Sequence, residues 1–161
     1  SKVVIAQVEG HAIAGGCGLA TVCDFVFSVP EAKFGYTETK IGFIPAIVMI
    51  FLIRKIGEAN AKELLFTGDL IEAEEAKGLG IVTRIEMGAE MPSLVKQFAQ
   101  NLIKNNSADS LKLTKQMIGN VQDMPIEAAL TYAAEMNARA RKTEDCKKGI
   151  KAFLNKEKIT W

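Results

Sequence analysis

The chain has 161 residues, 48% of them hydrophobic and 24% charged, a balance that builds a folded domain with a core rather than a disordered segment. A formal net charge of +1 and a pI of about 7.6 give no electrostatic reason to expect nucleic acid or an anionic membrane as a partner. Cys17, Cys23 and Cys146 are an odd number with no Cys-x-x-Cys pair, so they read as reduced thiols of a cytoplasmic protein, and with a single histidine they leave no structural zinc site to expect.

The β-branched run Val3-Val4-Ile5-Ala6-Gln7-Val8 reads as a strand, with only Ser1 and Lys2 ahead of it and no signal-peptide pattern. A parallel strand so near the first residue needs neighbours that the rest of the chain supplies sparingly, so the expectation is an incomplete or unusually minimal domain. The strand feeds Gly10-His11-Ala12-Ile13-Ala14-Gly15-Gly16-Cys17-Gly18-Leu19-Ala20, a glycine-rich turn and the start of a helix near Gly16. Without Cβ atoms, Gly15 and Gly16 allow positive φ and close approach of a ligand. The unpaired N–H groups of a first helical turn suit a phosphate or an oxyanion. Tight strand–helix packing accounts for such glycines equally well. Known phosphate loops fit badly, because neither Gly-x-x-x-x-Gly-Lys-Ser/Thr nor Gly-x-Gly-x-x-Gly is present.

Phe25-Val26-Phe27-Ser28-Val29 reads as a second buried strand bounded by Pro30, and Ala32-Lys33-Phe34-Gly35 as a shorter extended piece. Tyr36-Thr37-Glu38-Thr39-Lys40 then breaks the apolar pattern. The run from 41 to 53 is 13 apolar residues containing Pro45, short of the roughly 20 that span a bilayer, and reads as buried core. Pro45 suits the first turn of a helix to about residue 56, with Arg54 and Lys55 in its last turn and Gly57 as its stop. Helices over 59–66 and 73–77 and a third strand over 81–85 complete an alternation that argues for an α/β part with parallel strands. From Pro92 the pattern is helical only, with segments over 92–104, 110–121, 125–141 and 145–156. The expected organisation is an α/β part over 1–91 and a helical part over 92–161.

The stretch Lys2-Val3-Val4-Ile5-Ala6-Gln7-Val8-Glu9-Gly10-His11-Ala12-Ile13-Ala14-Gly15-Gly16-Cys17 resembles the signature of the crotonase family, the enoyl-CoA hydratases and isomerases. The likeness continues through Ala20, Cys23-Asp24, Ala32-Lys33-Phe34-Gly35, Glu38 and Ile41-Gly42-Phe43-Ile44-Pro45. It extends through Leu65-Phe66-Thr67-Gly68-Asp69, Ala73 to Val82 and the tail Gly149-Ile150-Lys151-Ala152-Phe153. It implies the C-terminal portion of a crotonase-like ββα spiral, followed by a helical trimerisation region and a homotrimer or dimer of trimers. It also implies an acyl-CoA thioester as substrate, coenzyme A being carried by the substrate and no other cofactor being used.

The resemblance further implies two backbone N–H groups that hold the thioester oxygen of an enolate. It puts one donor at Gly15 and the other in a preceding part of the family domain. Gly16, Gly18, Tyr36 and Phe153 are the expected substrate contacts, Phe153 toward a neighbouring subunit. Family hydratases use two glutamates, of which the later corresponds to Glu38; a solvated loop carboxylate is the plain alternative, but its apolar frame suits an acid/base. The earlier glutamate corresponds to Gly18, a departure that leaves open hydration with help from Tyr36, Thr37 or a water, isomerisation by one glutamate, and decarboxylation. Gly18 together with Pro45-Ala46 looks like bacterial methylglutaconyl-CoA hydratase-type members. A non-catalytic oligomerisation or binding piece is the rival reading. His11, Cys17, Cys23 and Asp24 read as structural, and Lys151, Lys156 and Lys158 as a solvated face.

Overall fold

The computed structural model describes residues 2–161, which fall into two compact units, Val4–Lys96 and Gln97–Trp161 together with residues 2 and 3. The first unit carries β1 (Ile5–Val8), β2 (Ala12–Ile13), α1 (Gly15–Thr21), β3 (Phe25–Ser28), β4 (Lys33–Gly35), a 3-10 helix (Thr37–Ile41), α2 (Ala46–Ile56), α3 (Glu58–Thr67), β5 (Ile71–Glu72), α4 (Ala73–Gly78) and β6 (Arg84–Ile85). α5 (Met91–Asn105) begins in this unit and runs into the second, where α6 (Ala108–Val121), α7 (Ile126–Arg141) and α8 (Glu144–Leu154) follow.

Two small sheets organise the first unit. One has the order β1-β3-β6 and is wholly parallel, Ile5 to Val8 facing Phe25 to Ser28 in register. Its central strand is buried at Val26, Phe27 and Ser28, as a strand covered on both faces must be. The other sheet, β2-β4-β5, departs from the all-parallel expectation: β2 runs parallel to β4, but β5 returns antiparallel to it. β2 and β5 have two residues each, too short for any periodicity to show in sequence. The third expected strand shrinks to Arg84–Ile85, because Ile81 and Val82 are spent in the turn that ends α4, where both their N–H groups reach Ala76 O.

The apolar run over 41–53 does not form the buried core expected of it. Pro45 and Leu52 are its buried residues, whereas Ile41, Phe43, Ile44, Ile47 and Ile50 stand exposed. α2 packs against α1 and α3 through one face, and the rest of its surface carries the excess apolar residues outward. Gly57, at φ 79°, stops α2 as the sequence indicates.

In the second unit the helix starts are tied together by side chains. Ser107 caps α6 by accepting from Ser110 N at 3.1 Å, and its hydroxyl donates to Asp145 Oδ2 at 2.6 Å near the start of α8. Thr143 caps α8 by accepting from Cys146 N at 3.2 Å. Trp161 closes the chain: its N–H donates to Lys104 O at 3.1 Å and its ring lies 5.2 Å from Lys148 Nζ. Among the described residues, no helix is long and apolar enough to cross a membrane, and no cluster of His, Cys, Asp or Glu could hold a metal ion.

Candidate active site

The site builds up from the turn between β2 and α1. α1 begins at Gly15, and the residue that caps it, Ala14, sits at φ 52° and ψ −124°, a conformation that L side chains strongly disfavour. Gly15 and Gly16 themselves are helical. The positive φ expected of the glycines therefore falls on the alanine before them. A Cβ placed on Gly15 or Gly16 would meet nothing within 4 Å, so neither glycine is required by packing in this chain. Being the first residue of the helix, Gly15 has no intrahelical acceptor for its N–H.

Strand β4 locks this turn to the segment bearing Glu38. Ala14 N donates to Gly35 O at 2.8 Å, so the end of β4 holds the strained residue directly. Gly35 is required there, because a Cβ on it would come within 2.7 Å of both Asp69 O and Leu70 Cδ2. Three residues on, the 3-10 helix carries Glu38, and Lys40 anchors that helix through an ion pair with Asp69 at 2.6 Å. Phe43 N donates back to Glu38 O at 3.0 Å. Among the described residues, Glu38 Oε2 is a buried side-chain oxygen without a hydrogen-bond partner. Native folds leave few such atoms, each costing about 1–3 kcal/mol.

Beneath the turn lies a buried polar cluster. Tyr36 is 0% exposed and its hydroxyl shares a 2.7 Å hydrogen bond with Thr21 Oγ1. Cys17, also fully buried, lies beside Tyr36, Thr21 and the Gly35 backbone. Burial pushes the Cys17 thiol above its ordinary value, the Glu38 charge adding to the effect, so this is an inert thiol. Burial, with Cys17 and Glu38 nearby, raises the Tyr36 phenol likewise. Lys55 reaches the other end of α1, where its Nζ donates to Thr21 O at 2.9 Å and Cys23 O at 3.1 Å. Burial lowers its pKa.

The structure thus brings Gly15, Gly16, Gly18, Tyr36 and Glu38 into one unit through α1, β4 and the 3-10 helix, while Phe153 belongs to the other. Tyr36, expected as a substrate contact, is enclosed and tied to Thr21, which suits it to hold the site rather than to touch a ligand. Phe153 is 82% exposed on α8. Gly18 is the glycine of the turn that packing does require: a Cβ on it would lie 2.0 Å from Val48 Cγ1. His11 Nδ1 accepts from Lys33 N at 3.2 Å, bridging the chain ahead of β2 to β4. Asp24 Oδ2 accepts from Val4 N at 2.7 Å, and Asp24 N donates to Val4 O at 2.9 Å. Sequence reasoning did not single out Val48 or Thr21, and named Lys55 only as a cation in the last turn of α2, not as a partner of α1. Nothing local marks them, since their partners lie 15 to 34 residues away.

The family model described as Enoyl-CoA hydratase/isomerase matches residues 1–161. The chain belongs to that family. A Thermus thermophilus protein named as an enoyl-CoA hydratase is 46% identical over 155 residues, 96% of this chain and 61% of that protein. The short-chain-enoyl-CoA hydratase of Clostridium acetobutylicum is 36% identical, with 98% of this chain and 60% of that protein covered. Among solved structures, an enoyl-CoA hydratase from Geobacillus kaustophilus superposes with a TM-score of 0.92 at 31% identity, over 99% of this chain and 61% of that one. The chain has the α/β crotonase fold over the part that it shares with these hydratases, and it spans about 60% of their length.

Proposed function

We propose that this chain supplies one oxyanion donor, the Gly15 N–H, and one acid/base, Glu38, to an acyl-CoA site that adds water to an enoyl thioester. The observation that carries the reading is the buried, unpartnered Oε2 of Glu38, held through β4 to the strained Ala14 turn. A carboxylate oxygen kept dry and unpaired is costly to stability, and fits a group whose partner is the substrate or an attacking water. The Gly15 N–H, which as the first of α1 has no intrahelical acceptor, is suited to the thioester oxygen as negative charge develops there. Glu38 takes a proton from water as the oxygen bonds to Cβ of the enoyl group. The electron pair of the C=C bond moves into the thioester as an enolate, and a proton is returned to Cα.

The crotonase resemblance supports a C-terminal portion of the ββα spiral with a helical region from about residue 92, and assembly as a homotrimer or dimer of trimers. It supports Gly16 as a neighbour of the acyl group, and Phe153 as a contact to coenzyme A in a second subunit. A branched or carboxylated enoyl-CoA is the preferred substrate in this reading, on the likeness of Gly18 and Pro45-Ala46 to methylglutaconyl-CoA hydratase-type members.

The test follows loss of the conjugated thioester absorbance on a panel of enoyl-CoA substrates that includes 3-methylglutaconyl-CoA. Glu38→Gln is expected to lower turnover by about 10²–10⁴-fold with the far-ultraviolet circular dichroism unchanged. Full activity in Glu38→Gln sinks the acid/base assignment. If no substrate is consumed by the chain or by a longer protein containing it, the binding-piece reading takes its place.

A further inference from the structure

Gly18 stands in the first turn of α1, its N–H bonded to Ala14 O at 3.0 Å. Its neighbour Cys17 lies within reach of the Glu38 charge. A Cβ on Gly18 would approach Val48 Cγ1 to 2.0 Å and Val48 Cβ to 2.7 Å, separations below the 3.0 Å that real Cβ atoms respect. Rotating the valine does not relieve this, because its own Cβ is fixed to the backbone of α2. Any side chain at 18 therefore needs α1 and α2 to part, or Val48 to go.

We propose that Val48 is a specificity-determining residue: it fills the room of a side chain at position 18 and keeps a second acid/base group out of the site. This rests on the hydratase reading above. Val48 sits three residues after Pro45, in the first turn of α2. The segment that follows Glu38 thus brings to the site the apolar group that excludes any companion to it. The Glu38 charge reaches both Cys17, next to Gly18 in the chain, and Tyr36. Hydration then runs on one carboxylate. Glu38 accepts a proton from water while the C–O bond forms at Cβ, and returns it to Cα as the enolate collapses. One O–H bond of water and the C=C π bond are lost, a C–O and a C–H bond are gained, and nothing is oxidised or reduced. Both new bonds form on the face that Glu38 covers.

The test is a double-mutant cycle on the 161-residue chain, read by thermal unfolding and by crotonyl-CoA hydration. Gly18→Ala alone is expected to lower Tm by roughly 5–10 °C, the range for an overpacked side chain. In a Val48→Gly background the same change is expected to cost little, giving a large non-additive coupling. Simple additivity overturns the pairing. Gly18→Glu in the Val48→Gly background is expected to raise hydration at least ten-fold over Val48→Gly alone; an equal or lower rate overturns the claim that Val48 excludes a useful second carboxylate. Inactivity of the unaltered sequence and of every variant, both in this chain and in a longer protein containing it, overturns the hydratase reading and, with it, the catalytic consequence of the pair, while the thermal cycle still decides the packing.

Discussion

Ala14 is the one residue of the turn whose backbone pays for its position. At φ 52° and ψ −124° it occupies ground that only glycine holds without strain. Strain of this kind costs about 1–3 kcal/mol, whereas an alanine-to-glycine change loses about 0.5–1 kcal/mol through backbone entropy. The first effect is larger, so Ala14→Gly is expected to stabilise the fold by about 1 kcal/mol. For a chain of this size that is a rise in Tm of about 2–4 °C, measured by calorimetry. If the strain also aims the Gly15 N–H, Ala14→Gly raises KM or lowers kcat while stability improves. A fall in Tm means that the turn is held by contacts a glycine cannot make. The sequence shows four small residues here but not which of them bears the positive φ. That is decided by the pull of Gly35 O on Ala14 N, a partner 21 residues away.

At the scale of elements, the cluster joining α1 to β4 makes the fold sensitive to alkali. Cys17 and Tyr36 are acids whose folded-state pKa values lie above the ordinary 9.0 and 10.0. The folded state holds those protons more tightly than the unfolded chain does. Their contribution is fully present below pH 9.0 and is lost as pH rises above that value and then above 10.0. Lys55 has the opposite sign: its lowered pKa makes stability rise as pH climbs toward its ordinary 10.5. It stays partly open to solvent, which screens its effect, so the two enclosed acids dominate. Tm is expected to fall as pH rises above about 9 and more steeply above 10, and Cys17→Ala with Tyr36→Phe is expected to flatten that fall at some cost in stability at neutral pH. An unchanged slope in the double variant removes these groups from the account.

The same elements show how far sequence patterns reach. Long helices and the β1 and β3 strands were legible because burial and period coincide over many residues, and the helix stop at Gly57 because one residue type fits it. β2 and β5 were not, since two-residue strands exist only through their partners. Of the candidate site, Gly15 and Glu38 were visible through the turn and the family likeness. The unpartnered Oε2 of Glu38 and the Gly18–Val48 contact follow from tertiary packing alone.

For the molecule as a whole, the apolar surface decides the last expectation. Ile41 is 83% exposed, Phe43 63%, Ile44 67% and Ile47 74%, and Ile50 and Phe51 continue the patch along α2. Six side chains of this size at such exposure offer apolar area on the order of 800 Å², about what one partner brings to a standard interface and more than the roughly 300–600 Å² patch usual on a monomer. A second copy of the chain is the occupant expected under the oligomeric assembly proposed above. Sedimentation velocity is therefore expected to show species heavier than the 17.5 kDa chain, growing with concentration. Phe43→Asp with Ile47→Asp is expected to return the protein to the monomer, because burying either carboxylate unpaired costs several kcal/mol against about 2 kcal/mol gained per apolar side chain. A monomer at every concentration, or association indifferent to both aspartates, excludes this face as the interface between copies.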